Sequence, residues 1–140
     1  MNIDGDIVTR SFEVGEFDEL LANLVAEIEL RNYRVTRINH IDNVLDQEER
    51  GLSEAMTFRH YKIVEFCNLN SCALMLSANA LAGVFMPVKF IVYQGVNDRR
   101  VQVSFLRPTR FAALFASSGV MDIAVKLEQD MSDVLDETAY

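Results

Sequence analysis

Two cysteines are the residues in this chain best suited to covalent chemistry. Cys67 ends a predicted buried strand, and Cys72 falls in the first turn of the helix predicted to follow it. A helix N-terminus stabilises a thiolate, so Cys72 in particular could act as a nucleophile or a sulfur carrier. The four residues between the cysteines differ from the two-residue spacing of redox motifs. Because free cysteine is among the most buried residue types, two thiols that fill the core are the alternative.

The two histidines, His40 and His60, are weak candidates for metal ligands. With Cys67 and Glu65 they would offer the nitrogen and sulfur donors that bind zinc, copper or haem iron. His60 and Cys67 have opposite parity on one strand, however, and should face opposite sides of the sheet. We therefore expect hydrogen-bonded or solvated histidines, and the sequence does not identify a cofactor.

Glu65 is a carboxylate within the apolar run of the same predicted strand, next to Val64 and Phe66. Burial would raise its pKa, and a carboxylate perturbed in this way is often part of a functional site. The alternative is an acid at the sheet edge or one that is paired with an arginine of a neighbouring strand. Structural ion pairs also perturb pKa values, so the sequence favours this second interpretation.

Residues 66–88 carry no charged side chain. Small residues and methionines, as in residues 70–86, line a ligand pocket, a close helix–helix contact or plain core. Phe85 and Met86 lie in a predicted loop, residues 83–87, and are expected at a pocket mouth or a dimer seam. The candidate pocket therefore has seven members: His40, Glu65, Cys67, Asn68, Cys72, Phe85 and Met86.

The uncharged segment is nearly as long as the roughly 20 residues that span a bilayer. It contains three asparagines, however, and an amide without a partner in lipid costs several kcal/mol. We expect a strand end, a helix and a loop instead of a membrane span. The acidic N-terminal residues lack the pattern of a signal peptide, which predicts a cytoplasmic protein without a disulfide framework.

The overall charge argues against nucleic acid as a partner. The chain has 140 residues, with 21 acidic against 13 basic side chains and a formal net charge of -8. Binding to nucleic acid or to anionic membranes needs clustered lysine and arginine, and no such cluster occurs. The length fits one domain over residues 1–140. Phosphate-binding loops, nucleophile elbows and dinucleotide fingerprints are absent from the sequence, so no catalytic residue is indicated.

Hydrophobic periodicity predicts strands and helices in one chain order. The predicted strands cover residues 7–14, 33–40, 59–67, 88–94 and 100–106, the last two forming a hairpin across residues 95–98. Helices are predicted from Glu16, with Asn32 in the left-handed position that closes it, and over residues 42–50, 71–82 and about 119–136. Asn68 or Asn70 would cap the third of these helices. The nearly continuous apolar character of the third strand predicts a central strand covered on both faces. The fold class is α+β, a mostly antiparallel sheet with helices packed on one face.

A succession of short motifs runs through the middle of the chain. They are Ile38-Asn39-His40, Gly51-Leu52, Lys62-Ile63-Val64-Glu65-Phe66-Cys67-Asn68, Met86-Pro87-Val88-Lys89-Phe90-Ile91-Val92-Tyr93 and Val103-Ser104-Phe105-Leu106-Arg107-Pro108. In order and spacing, residues 8–115 resemble the domain of unknown function 302 family. The chain departs from the family pattern at Asn39, where the family usually has aspartate, and at Leu69, where it often has proline.

The resemblance implies a domain similar to one repeat of the TATA-binding-protein fold, β-α-β(4)-α in outline with extra helices, and often a homodimer. It does not imply DNA binding, because a fold does not fix a function and the basic surface is missing. Since Asn39 replaces an acid, the residue that could orient His40 is absent. The family has no established biochemical activity.

Two functions remain open from the sequence. The first is a non-enzymatic homodimeric domain that binds a small apolar or amphipathic ligand, or a protein partner, through residues 67–88. The second is a thiol-dependent redox or sulfur-handling protein that uses Cys67 or Cys72, with His40 or His60 as proton carrier or metal ligand.

Overall fold

The computed structural model describes residues 3–13, 15–45 and 57–139. Val14 of the first predicted strand lies outside these residues, as do the second half of the predicted helix 42–50 and the motif residues Gly51 and Leu52. The described chain forms a five-stranded antiparallel sheet in the order β1-β5-β4-β3-β2. The strands are β1 (Ile7–Glu13), β2 (Arg34–His40), β3 (Phe58–Cys67), β4 (Val88–Gly95) and β5 (Arg100–Leu106).

Helices connect these strands and follow the last one. They are α1 (Ile3–Asp6), α2 (Phe17–Leu30), α3 (Ile41–Leu45), α4 (Leu69–Ala78), a 3₁₀ helix (Ala80–Phe85), α5 (Pro108–Ala112) and α6 (Ser118–Glu137). The α+β class is therefore confirmed, with β4 and β5 as the predicted hairpin. Asn32 has a φ of 65°, which is the left-handed closing position expected after α2.

The core lies between the helices and one face of the sheet. Alternate residues of β3, β4 and β5 are buried, whereas their neighbours on the opposite face are mostly only half-buried. The long helix α6 contacts α2, α4 and α5 and contributes Leu127, Met131 and Leu135 to this core. Tyr33, just before β2, donates a hydrogen bond of 2.6 Å to Asp130 of α6, which ties this helix to the sheet.

Two predictions about the middle of the chain are wrong. β3 is not the central strand covered on both faces that the sequence predicted, since it lies second from the sheet edge and is buried on one face only. The prediction failed because apolar residues such as Ile63 also occupy the half-buried face. The predicted helix 71–82 begins earlier and is interrupted. Asn79 is extended, and its side chain accepts a hydrogen bond from the Leu81 N–H, so it ends α4 and caps the 3₁₀ helix.

Candidate functional site

A cavity of about 260 Å³ lies where the 3₁₀ helix leads into β4. Three residues of the predicted pocket, Glu65, Phe85 and Met86, line it. The other lining residues are Val84, Pro87, Val88, Lys89, Leu106 and Phe111. The cavity is slightly smaller than the roughly 300–1,000 Å³ usual for ligand pockets, so it fits a small molecule or one end of a larger one.

Aromatic packing fixes the wall of this cavity. Phe85 stacks on Phe111 of α5, with ring centroids 4.8 Å apart and an angle of 10° between the planes. A third ring, that of Phe115, is nearly perpendicular to Phe85, with ring centroids 6.1 Å apart. Offset and edge-on pairs of this kind stabilise aromatic clusters beyond their buried area. The Phe85 and Phe111 side chains of the cavity wall are therefore already fixed, and ligand binding would not need to order them.

Glu65 and Lys89 supply charge to the otherwise apolar cavity. They are cross-strand partners of β3 and β4, and Arg37 of β2 faces Glu65 from the other side. Within the described residues, no ion pair closer than 4.0 Å involves the Glu65 carboxylate. Its oxygens are therefore available to a polar group at the edge of the cavity.

Cys67, Asn68 and Cys72 lie together where β3 ends and α4 begins. Asn68 is the N-cap residue, and its side chain accepts a hydrogen bond of 3.1 Å from the Ser71 N–H. Its amide nitrogen also donates to the Asn32 carbonyl at 3.0 Å. Cys67 thus occupies the position before the cap and Cys72 the fourth helical position. Side chains at these two positions commonly pack against each other across the first turn.

The environment of Cys72 opposes its ionisation. Burial, and to a smaller extent the neighbouring Cys67, raise the pKa of the Cys72 thiol to about 11. Cys72 is therefore protonated at neutral pH. The helix N-terminus does not produce the thiolate that the sequence suggested, because loss of solvent around the sulfur outweighs the dipole.

The histidines do not join the cysteines. His40 ends β2, is exposed and lies opposite Lys62 of β3. The His60 ring stacks on Phe17 at the start of α2, with centroids 4.2 Å apart. Among the described residues, no cluster of three or more histidine, cysteine or acidic side chains could hold a metal ion.

A buried ion pair that the sequence analysis missed lies beside His60. Asp42 of α3 accepts a hydrogen bond of 2.8 Å from Lys62 Nζ and one of 2.9 Å from the Tyr61 N–H. Burial alone would raise the pKa of Asp42, but these hydrogen bonds hold it below its usual value. Nδ1 of His60 lies 4.0 Å from the same carboxylate. The residue that could have revealed this pair in the sequence was Lys62. A cation on the buried face of a strand needs an acidic partner.

Burial lowers the pKa of His60, and this effect outweighs the opposing attraction of Asp42. The ring borders a second cavity of about 430 Å³, which also includes Arg59, Gln94 and Arg99. This cavity is larger than the one near Phe85, but its walls carry charges of both signs. It does not include any of the seven residues of the predicted pocket.

The uncharged segment leaves five large apolar side chains exposed, one of them at the first cavity. We call these side chains the apolar patch, which consists of Leu69, Leu74, Leu76, Leu81 and Val84. Only Met75 of α4 is buried, although the helix is apolar around most of its circumference. A methyl group at Gly83 would lie 3.3 Å from Leu76, so α4 and the 3₁₀ helix adjoin. Val84 belongs both to the patch and to the cavity wall.

No helix in the described part of the chain is long and apolar enough to cross a membrane. The segment that could be mistaken for a span instead forms α4 and the 3₁₀ helix, each capped by an asparagine. Two of the polar residues inside the uncharged run, Asn68 and Asn79, thus serve as helix caps.

Comparisons with known proteins identify the family. No curated protein matches the chain. The crystal structure of the uncharacterized conserved protein DUF302 from Bacillus stearothermophilus has the same fold, with a TM-score of 0.83 and 23% sequence identity over 96% of this chain and 99% of that chain. The family model described as domain of unknown function DUF302 matches residues 8–138 and so includes α6. The chain belongs to the DUF302 family.

Proposed function

We propose that this protein is a non-enzymatic, homodimeric binding domain that holds a small amphipathic ligand in the cavity beside the apolar patch. The observation that carries the proposal is the continuity between the two features. Val84 is 78% exposed and also lines the cavity, so whatever covers the patch would extend the wall of the cavity. Exposed apolar surface of this kind usually marks a contact with another molecule.

A second copy of the chain is the occupant that fits the patch. Each copy has a formal net charge of -8, so most approaches between two copies are repulsive. Residues 66–88 contribute no charge to that repulsion. A two-fold symmetric contact places the same surface on both partners, and an uncharged apolar surface is complementary to itself.

The ligand class follows from the walls of the cavity. Phe85, Met86 and Phe111 would surround an apolar body of limited size. Glu65 and Lys89 at the edge of the cavity would accommodate a polar or charged head group. A short alkyl chain with one polar end has this chemistry, and octylamine, octanoate and octanol are suitable probes because they share an eight-carbon chain and carry a cationic, an anionic or a neutral head group.

Native mass spectrometry of untagged protein tests both parts at once. We expect twice the chain mass of 15.9 kDa, and a retained organic adduct or a rise in melting temperature with at least one of the three probes. Val84→Trp should narrow the cavity mouth and abolish that rise, whereas Leu30→Trp, at a site 73% exposed on α2, should preserve it. Absence of any adduct and of any probe-dependent shift would remove the ligand from the proposal.

The dimer contact has its own variants. Leu74→Glu and Leu81→Glu each place two new carboxylates in a symmetric interface, so we expect the dissociation constant to rise at least tenfold, measured by sedimentation. Leu30→Glu is the matched control and should remain dimeric. A monomeric wild-type protein, or a dimer that tolerates both patch substitutions, would contradict the assignment of this surface to a second copy.

A thiol-dependent catalytic role receives less support. The protonated state of Cys72 at neutral pH opposes its action as a nucleophile. His40 is exposed at the far end of β2 and His60 stacks on Phe17, so neither is in position to take a proton from Cys72.

A further inference from the structure

We propose that the ligand is a linear amphiphile whose hydrocarbon chain passes from the first cavity, between the ends of β4 and β5, into a separate cavity on the open face of the sheet. This inference rests on the proposed function, since it takes the first cavity as the site of the polar end of the ligand. It adds the path of the chain and the class of ligand, a single aliphatic chain longer than that of the octyl probes.

The separate cavity, which we call the sheet cavity, has a volume of about 220 Å³. Ile91 of β4 and Ile7 of β1 contribute to its walls and are half-buried. Ile91 belongs to the half-buried face of β4, whereas its neighbours Phe90 and Val92 point into the core. The sheet cavity therefore offers apolar surface outside the core. Its other lining residues are Lys89, Ser104, Phe105 and Leu106.

The opening between the two cavities lies where β4 and β5 stop pairing. The last pair of these strands on this side is Ile91 opposite Ser104. Although the structure describes both strands in full, the pairing does not continue to Lys89 and Leu106. Both strand ends are instead paired on their other sides, with β3 and with β1. Lys89 and Leu106 line both cavities, so the space between them connects the two.

The polarity of the walls sets the direction of the chain. The Ser104 hydroxyl in the sheet cavity is already hydrogen-bonded to the Thr9 hydroxyl at 2.8 Å. Lys89 is exposed, so its ammonium group can extend into solvent while its alkyl stem covers the chain. Glu65 lines the first cavity and not the sheet cavity. The polar end of the ligand therefore lies near Glu65, and the methyl end lies beside Ile91.

The two cavities together have the size of an ordinary ligand pocket. The first has a volume of about 260 Å³ and the sheet cavity about 220 Å³, and each alone is below the roughly 300–1,000 Å³ that is usual. Their combined volume falls within that range. On the core side, the rings of Phe90 and Phe105 meet edge to face with centroids 5.5 Å apart. The chain therefore follows the face of the sheet instead of entering the core.

Pairs of ligands that differ only in chain length test this path. Octylamine, octanoate and octanol are each compared with the dodecyl compound that has the same head group, by calorimetric titration below the micelle concentration. Burial of each further methylene strengthens binding about fourfold, so a dodecyl compound should have a dissociation constant at least tenfold lower than its octyl counterpart. Native mass spectrometry should show one dodecyl molecule for each protein chain.

Variants of the two cavities locate the chain. Ile91→Trp should fill the sheet cavity and remove the advantage of the dodecyl chain, while retained octyl binding verifies the fold. Ile63→Trp is the matched control, because Ile63 is the cross-strand partner of Ile91 and lines neither cavity. This control should keep the advantage of the dodecyl chain. Val84→Trp should weaken dodecyl binding as well as octyl binding, because one ligand occupies both cavities.

The outcomes separate this inference from the proposed function. Octyl binding without a gain from the dodecyl chain would overturn the extension into the sheet cavity and leave the proposed function in place. A gain that survives Ile91→Trp, or that Ile63→Trp also removes, would overturn it too, because nonspecific contacts would then explain the gain. Dodecyl binding that Val84→Trp does not weaken would overturn the shared site. Absence of binding at both chain lengths would contradict the proposed ligand itself.

Discussion

At the scale of single residues, the most consequential side chains of this protein are those whose pKa is shifted by their environment. Cys72 is kept protonated by burial next to Cys67. Burial also raises the pKa of Tyr33, reinforced by its hydrogen bond to Asp130. Asp42 is kept ionised by Lys62 and by the Tyr61 N–H. His60 is kept neutral by burial although a carboxylate lies nearby.

The depressed pKa of His60 makes stability depend on pH. Below its usual pKa of 6.5 the unfolded chain binds a proton at this ring more readily than the folded chain does. The free energy of unfolding should therefore fall as the pH drops through 6.5. Asp18, Asp42, Arg59 and Lys62 surround the ring, and burial outweighs their summed effect. Urea denaturation at several pH values measures the slope.

His60→Gln should reduce the slope of the free energy of unfolding against pH. This expectation is separate from any change in absolute stability that the lost contact with Phe17 causes. His40→Gln is the matched control, because His40 is exposed, and this variant should keep the wild-type slope. An unchanged slope in His60→Gln would show that another group causes the loss of stability at acidic pH. Asp42, whose folded pKa is also depressed, should lose its stabilising contribution only at more acidic pH.

At the scale of the elements, the uncharged segment shows how polar residues define boundaries inside an apolar run. Asn68 starts α4, and Asn79 ends it and starts the 3₁₀ helix. The sequence indicated Asn68 as one of two possible caps. It did not reveal the interruption at Asn79, since an asparagine inside a helical pattern is compatible with a continuous helix until its side chain finds a backbone N–H.

Asn68→Ala should lower the free energy of unfolding by about 1–2 kcal/mol, because both the cap to Ser71 and the bond to the Asn32 carbonyl are lost. Asn68→Asp keeps the acceptor for the cap and removes the donor to Asn32, so it should recover part of that loss. Equilibrium denaturation measures both variants. Equal stability of Asn68→Ala and wild type would mean that solvent replaces the cap at no cost.

At the scale of the whole molecule, charge and apolar surface are separated along the chain. The net charge of -8 comes from residues outside the segment 66–88, which carries the apolar patch and most of the cavity wall. Long-range repulsion between two copies therefore competes with a short-range apolar contact. At 0.1 M salt the repulsion between charges is largely screened beyond about 10 Å, whereas the apolar contact is left largely intact.

The dimer proposed above should consequently tighten as ionic strength rises. Sedimentation at about 0.02 M and about 0.5 M sodium chloride should show a lower dissociation constant at the higher salt concentration, since the screening length shortens severalfold. Sodium acetate at equal ionic strength serves as the control for ion-specific effects. A dimer that weakens with salt would indicate attractive ion pairs in the interface and would contradict an uncharged contact.

The sequence by itself determined the family, the α+β class, the order of the five strands, the long helices α2 and α6 and the hairpin of β4 and β5. These features depend on local periodicity, on turn residues and on a succession of motifs, all of which can be detected along the chain. It also identified Glu65, Phe85 and Met86, which line one cavity, and the cysteines Cys67 and Cys72, which lie on either side of the Asn68 cap.

Only the tertiary structure decided which distant residues meet. The pairing of Asp42 with Lys62, the stacking of His60 on Phe17, the separation of His40 from the cysteines and the protonated state of Cys72 all depend on strand order and burial. Interaction energies of charged and aromatic groups vary with distance and with the local dielectric. Neither quantity can be calculated from the spacing of residues along the chain, because folding sets both.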